Sequence, residues 1–230
     1  MVESTTKEVQ YDKYIHEAKD QGFERLGLMH SQSWRKDPKH LLFTLSRYKF
    51  VAKMFDGFNH VLEVGCGDGF ASRIVHQHVK NLDLTDFDPV FIEDIKDRTK
   101  ESQWVPNAFS HDILKEPIPG KYDGIYALDV LEHINKKDEH LFIKNMIAPL
   151  APYGVTIVGV PSLESAQYAS ADSKEGHINL KSQKDLRATL SPFFHTIFLF
   201  SMNDEVVHTG FYGMAHYLFA VCTGKIGETR

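Results

Sequence analysis

The run Val61-Leu-Glu-Val-Gly65-Cys-Gly67-Asp-Gly69-Phe70 constrains this chain more than any other. Four residues with the pattern of a buried strand enter a turn of three alternating glycines, and a helical pattern starts near Phe70. Glycine is needed in such a turn for two reasons. The backbone must take torsions that a Cβ resists, and a ligand at the carboxyl end of the strand must come close to it. The spacing then narrows the ligand. A dinucleotide fingerprint needs glycine at the first, third and sixth positions, and the sixth here is Phe70. Acids at Glu63 and Asp68, with no Gly-Lys-Ser/Thr ending, also disfavour phosphate. A cationic ligand such as a sulfonium suits the charge better.

Around this turn, short apolar runs alternate with helical segments, as a parallel sheet with crossover helices requires. The pattern predicts strands at residues 61–64, 81–85, 104–109, 124–128 and 155–160. Helices are expected at 70–78, 90–98 and about 137–149. Two β-prone runs, 196–201 and 216–222, lack a helical pattern between them and predict an antiparallel hairpin. Upstream, residues 7–19 read as a polar helix. Residues 38–55 read as another, with Leu41, Leu42, Leu45, Tyr48 and Ala52 at helical spacing and Asp37-Pro38 as its start. Residues 27–35 are expected to form a loop. The fold class is thus α/β and Rossmann-like, a seven-stranded sheet of five parallel strands plus the hairpin, with helices on both faces. At 230 residues, with no repeat or linker, one domain is expected. Its helical segment would be 1–57 and its core 58–230.

Composition removes several functions. A hydrophobic share of 42% with 25% charged residues belongs to a folded protein, not a disordered one. A net charge of -5 leaves no basic footprint for nucleic acid beyond the local pair Lys136-Lys137. No window approaches ~18 apolar residues, and the N-terminus lacks a charged segment followed by an apolar one. A cytoplasmic protein with no membrane partner is expected. The two cysteines, Cys66 and Cys222, are too far apart for a C-x-x-C pair and are expected to be reduced thiols, without structural zinc.

Three further strings accompany the glycine turn: Leu82-Asp-Leu-Thr-Asp86-Phe87-Asp88-Pro, Ala108-Phe-Ser-His-Asp112-Ile113, and Tyr122-Asp-Gly-Ile-Tyr-Ala-Leu128-Asp129-Val-Leu-Glu132-His133. With them the chain resembles the class I S-adenosylmethionine-dependent methyltransferases, closest in motif to the ubiquinone-biosynthesis O-methyltransferase branch, over roughly 61–201. The resemblance implies S-adenosylmethionine as cofactor. Its methionine portion would lie over the turn formed by Glu63, Gly65, Cys66, Gly67 and Gly69. Asp86 would accept both ribose hydroxyls, as a carboxylate with two oxygens can, while Asp88 caps the next helix. Asp112 would meet the adenine amino group, with Phe87, Ile113 and Leu128 as apolar neighbours of the cofactor.

Asp129, Glu132 and His133 stand at i, i+3 and i+4, so one helical turn would put them on one face. His177, in Gly176-His-Ile-Asn-Leu180, is expected to return over the same place. Two carboxylates and two imidazoles suit a divalent ion that lowers the pKa of an acceptor hydroxyl. The set resembles that of the ubiquinone O-methyltransferases and the small-RNA 2′-O-methyltransferases, which carry Glu-x-x-Glu-His and a later His, and departs from it at Asp129. Without metal, His133 or His177 would be the general base. Trp34 and Arg35 in the N-terminal segment, and Tyr168 in the long polar connection 162–181, are candidates for contact with cofactor or acceptor. The expected activity is O-methylation of a small polar metabolite or sugar hydroxyl, with a small-molecule acceptor and no nucleic acid. N-methylation of a small amine stays open. The rivals from other classes are an NAD-dependent oxidoreductase and a non-catalytic cofactor-binding scaffold.

Overall fold

Eight strands form one sheet in the computed structural model, which describes residues 6–227. Residues 1–5, part of the N-terminus read above as lacking a leader, lie outside the described residues, as do 228–230. In chain order the strands are β1 (His60–Val64), β2 (Asn81–Asp86), β3 (Asn107–Ser110), β4 (Tyr122–Leu128), β5 (Leu150–Pro161), β6 (Phe194–Asn203), β7 (Val206–His208) and β8 (Tyr217–Lys225). Their order in space is β3-β2-β1-β4-β5-β8-β6-β7. The first five are parallel, and β8 joins β5 and β6 antiparallel.

The expected α/β sheet is therefore present, with one strand more than the seven anticipated. The addition, β7, pairs with the end of β6, and three residues are too few to display a period. β3 begins later than the apolar pattern suggested because Pro106 precedes it and has no N–H for a ladder.

The helices are α1 (Asp12–Gln21), α2 (Leu28–Lys36), α3 (Pro38–Met54), α4 (Ser72–His76), α5 (Pro89–Thr99), α6 (Glu139–Ile147), α7 (Ala171–Gly176) and α8 (Gln183–Leu190). Local chemistry starts four of them, α7 among them through the Ser170 hydroxyl, which accepts the Ser173 N–H. The Asp37 carboxylate accepts the Lys39 N–H ahead of α3, Asp88 accepts the Val90 N–H ahead of α5, and Ser182 with Asp185 forms a reciprocal capping box on α8. None among the described residues is long and apolar enough to cross a membrane.

Strand side chains alternate between two apolar layers. On one face, Leu62, Ile125, Val158 and Leu218 pack with Phe142, Ile143 and Met146 of α6 and with Leu186 and Leu190 of α8. On the other, Val61, Tyr126, Ile157 and Phe219 pack with Tyr48, Val51 and Ala52 of α3, Val75 of α4, and Ile92 and Ile95 of α5. Burial on both sides is why these strands read as continuous apolar runs. From β1 the chain order runs outward both ways, to β2 and β3 on one side and to β4 and β5 on the other. The carboxyl ends of β1 and β4 thus flank the crevice in which open α/β sheets bind ligands.

Residues 27–35 correct the reading above, since they form α2 and not a loop. The cause is distant. Asp68 Oδ2 accepts the N–H groups of Met29 at 2.8 Å and His30 at 2.9 Å, the donors a helix start leaves open. A cap supplied by tertiary contact has no local signature.

Candidate active site

β1 delivers the glycine turn to the crevice. Gly65 and Gly67 have φ of 78° and 52°, in the left-handed region. A Cβ on Gly65 would run into the Val130 side chain after β4, and one on Gly67 would lie 2.8 Å from Met29 Sδ of α2. Shape and torsion thus both demand glycine here. Most of the turn's N–H groups are already spent. Those of Gly65 and Cys66 go to the Thr85 carbonyl at 2.8 and 3.0 Å, that of Gly67 to Asp86 Oδ2 at 2.9 Å, and that of Gly69 to the Cys66 carbonyl at 3.0 Å. Phe70 N–H is held by Asp68 Oδ1 at 3.1 Å. An anion nest needs such groups free, so the turn is a poor seat for pyrophosphate and a fitting one for an uncharged nucleoside or a cation.

Beneath the turn, Glu63 is 1% exposed. It accepts from Tyr48 Oη at 2.7 Å, Ser72 Oγ at 2.5 Å and Tyr126 Oη at 2.6 Å. Burial pushes its carboxyl up to about 7 in spite of these donors. Its oxygens are committed to hydroxyls of α3, α4 and β4, so it supports the turn from below. Cys66 is buried, which pushes its thiol well up.

Asp86 ends β2. Its carboxylate takes the Gly67 N–H through one oxygen and the Asp88 N–H, at 2.9 Å, through the other. Two of its roughly four lone-pair sites are left for further donors. Burial raises its pKa and these N–H groups oppose the rise. Phe87 beside it is 74% exposed, a large ring uncovered at the crevice. Asp112 caps a turn through Leu114 N–H at 3.0 Å and pairs with Lys115 at 3.3 Å. Ile113 and Leu128 are buried in the apolar layers.

α2 docks onto this turn through Asp68, which is fully buried. Besides its two backbone donors, Asp68 meets His30 Nδ1 at 2.6 Å. Burial raises its pKa, but the bonds and charge of His30 prevail and hold it below the usual range. Trp34 is 56% exposed, Arg35 is also exposed, and Tyr168 ends a 3₁₀ turn, Leu163–Tyr168, with its ring in solvent.

The other side of the crevice is assembled after β4, and not as one helical turn. Asp129 has φ of 56°, a left-handed conformation that Asp tolerates better than most residues, and only Leu131–His133 is helical, as a 3₁₀ turn. Asp129 is thereby removed from the expected ligand set. Its oxygens accept from Arg47 Nη1 at 3.0 and 2.9 Å, while the guanidinium lies 4.0 Å from the Tyr217 ring centroid. Glu132, His133 and His177 do converge, with one ligand atom of each within 4.8 Å of the others. The two imidazole centroids are 5.1 Å apart. Glu132 is fully buried, and neither of its oxygens has a hydrogen-bond partner. Burial, then the Asp129 charge, push its carboxyl well up. Burial, then His133, push the His177 pKa down, which favours the uncharged ring. His133 Nδ1 faces the Gly176 carbonyl at 2.9 Å. A carbonyl only accepts, so Nδ1 carries the hydrogen and the neutral ring keeps its lone pair on Nε2.

Arg47 and the Asp68–His30 contact were not found from sequence. Arg47 did leave a trace: it lies four residues before buried Val51, a charge on the apolar stripe of α3.

Residues 62–156, from β1 into β5, match the methyltransferase domain family. No curated protein sequence matches the chain. Solved structures share the architecture. One is an S-adenosylmethionine-dependent methyltransferase from Clostridium acetobutylicum, with TM-score 0.67, 13% identity, 94% of this chain covered and 99% of that one. Another is the N-methyltransferase NodS from Bradyrhizobium japonicum in complex with S-adenosyl-L-homocysteine, with TM-score 0.64, 17% identity, and 91% and 97% covered. A third is the methyltransferase domain of bacterial CtHen1-C, with TM-score 0.66, 15% identity, and 79% and 98% covered. Residues 62–156 thus match a methyltransferase domain, and the chain as a whole has the fold of S-adenosylmethionine-dependent methyltransferases. The matched stretch holds the glycine turn, Asp86, Asp112, Glu132 and His133.

Proposed function

We propose that the protein transfers the methyl group of S-adenosylmethionine to an oxygen of a small polar acceptor, a metabolite or sugar hydroxyl. The observation that carries this reading is the pair of imidazoles, His177 and His133, with ring centroids 5.1 Å apart at the carboxyl edge of the sheet, close to Val130, the glycine turn's neighbour. A hydroxyl attacks a sulfonium methyl well only as its proton leaves, and a positioned imidazole with a near-neutral pKa is suited to take it. The resemblance of Asp129-x-x-Glu132-His133 with His177 to the ubiquinone O-methyltransferase branch supports an oxygen acceptor too.

The cofactor would be held by this chain as follows. The remaining lone pairs of Asp86 accept ribose hydroxyls, Phe87 and Ile113 cover the adenine, Asp112 accepts from its amino group, and Gly65, Cys66 and Gly67 leave room for the methionine portion above Glu63, with Leu128 as a further apolar neighbour. The bound cofactor supplies an electrophilic methyl, and the protein's contribution is to hold the two reactants in line and receive the proton. His177, or His133 through Nε2, is the acceptor of that proton.

A second reading has one observation in its favour. Both Glu132 oxygens are buried without partners, and a divalent ion on Glu132, His133 and His177 would satisfy them. Such an ion would lower the pKa of a bound hydroxyl. Arg47 keeps Asp129 out of that set.

The test is a screen of hydroxylated and amine acceptors with methyl-labelled cofactor, run before and after chelation. Label on oxygen supports the proposal. Label on nitrogen replaces it with N-methylation, and no label on any acceptor favours a non-catalytic scaffold. A rate that falls on chelation and returns with metal supports the ion, whereas an unchanged rate leaves the imidazoles alone as bases.

A further inference from the structure

His177 lies just beyond the end of α7, in a connection without regular structure, yet its ring is matched to His133. Backbone bonds make part of that match. The N–H groups of Ile178 and Asn179 both donate to the Glu132 carbonyl, at 2.9 and 3.0 Å, and His133 Nδ1 donates to the Gly176 carbonyl. A buried polar knot follows at once in the chain. Asn179 Nδ2 donates to Glu139 Oε2 at 2.8 Å, Asn179 Oδ1 accepts from Lys181 Nζ at 2.8 Å, and Lys181 closes the ring as an ion pair with the same Glu139 oxygen. Glu139 Oε1 accepts from Thr189 Oγ1 of α8 at 3.0 Å. The Lys181 backbone is held as well, its carbonyl accepting from Leu163 N–H at 2.9 Å.

Lys181 is 4% exposed. Burial raises the Glu139 pKa, but Lys181 and Asn179 outweigh it and hold the carboxyl below its usual range. A buried ion pair seldom exceeds an apolar pair in net stability, and its best-attested use is to fix one arrangement against others. Here the arrangement fixed is that of the segment 176–181 against the 3₁₀ turn Leu131–His133.

We propose that Lys181 and Glu139, acting through Asn179, are positioning residues that set His177 against His133. The catalytic consequence rests on the reading of those histidines given above, while the geometric one does not.

The test uses the full chain in three forms: wild type, Lys181→Arg, and the double variant Lys181→Met with Glu139→Gln. The double variant removes both charges together, so no uncompensated buried ion is left to unfold the protein. A cleft of about 460 Å³ opens on Glu139, Lys181 and Thr189 and gives an arginine room. The first readout is the ring-to-ring contact of His133 and His177, by NMR on histidine-labelled protein. It is expected in wild type and Lys181→Arg and lost in the double variant. The second is S-adenosylhomocysteine affinity by calorimetry, expected to stay within about twofold, since the knot does not touch the glycine turn. The third is methyl transfer to the acceptor found by the labelled screen. Its kcat is expected to fall about 10- to 100-fold in the double variant with KM changed much less, and to recover in Lys181→Arg. A double variant that keeps both the ring contact and kcat within about threefold overturns the proposal. If the ring contact is lost and no form methylates any acceptor, positioning stands and the catalytic reading of the histidines fails.

Discussion

The two sides of the crevice are built on opposite principles. On the side of β1 and β2, the acids are satisfied from within: Glu63 by three hydroxyls, Asp68 by backbone and imidazole, Asp86 by two N–H groups. On the side of β4, Glu132 keeps two buried oxygens without partners, as do the Arg47 Nε and the Tyr217 hydroxyl, and Asp129 sits in a left-handed conformation. Each buried polar group left alone costs about 1–3 kcal/mol. Under the proposed function, a bound ligand would supply the partners that Glu132 lacks. The first side also leaves the Thr85 hydroxyl and His30 Nε2 without partners, but its acids are all satisfied; on the reading proposed above, Glu132 on the second side is satisfied by what binds there.

The strongest challenge to this contrast is His177→Ala, with His133→Ala as its companion. Turnover should fall by about 10²–10⁴, the usual contribution of a general base, while cofactor affinity by calorimetry stays within about twofold. A parallel loss of cofactor affinity would dissolve the division between the sides.

Glu63 tests the first side through pH. Its folded pKa of about 7 stands above the ordinary 4.5, so its contribution to stability is complete below 4.5 and is lost as pH rises through about 7. That loss is about 3 kcal/mol at most. Denaturant titrations of wild type and Glu63→Gln between about pH 4 and 8 should show a smaller decline for the variant. Glu132 contributes with the same sign in both proteins, which leaves the difference to Glu63.

Asp86→Ala should weaken cofactor binding by ~1.5–3 kcal/mol, the range for hydrogen bonds to a charged group. Unchanged affinity would mean that its two internal N–H bonds are its whole role. The smallest effect is expected from Asp37→Ala, which removes the cap of α3 at about 1 kcal/mol. That helix carries Arg47 to Asp129, so a larger fall in turnover than in stability would show that the β4 side of the crevice depends on the N-terminal helices.

What could be read from the residues alone was whatever depends on neighbours in the chain. Strand runs buried on both faces, the glycine turn, the Asp37 and Asp88 caps and the Ser182–Asp185 box each need only a few consecutive positions, and these already imply a parallel sheet with a ligand at its carboxyl edge. The tertiary structure decided the rest, because the partners are far apart in sequence. α2 is a helix because Asp68 caps it from the glycine turn. Asp129 serves Arg47 and not a cluster with Glu132, because α3 lays a guanidinium over the end of β4. Periodicity tells which face of a helix is apolar, but a charge is assigned to its partner only when the chain has closed and the dielectric around the pair has been set.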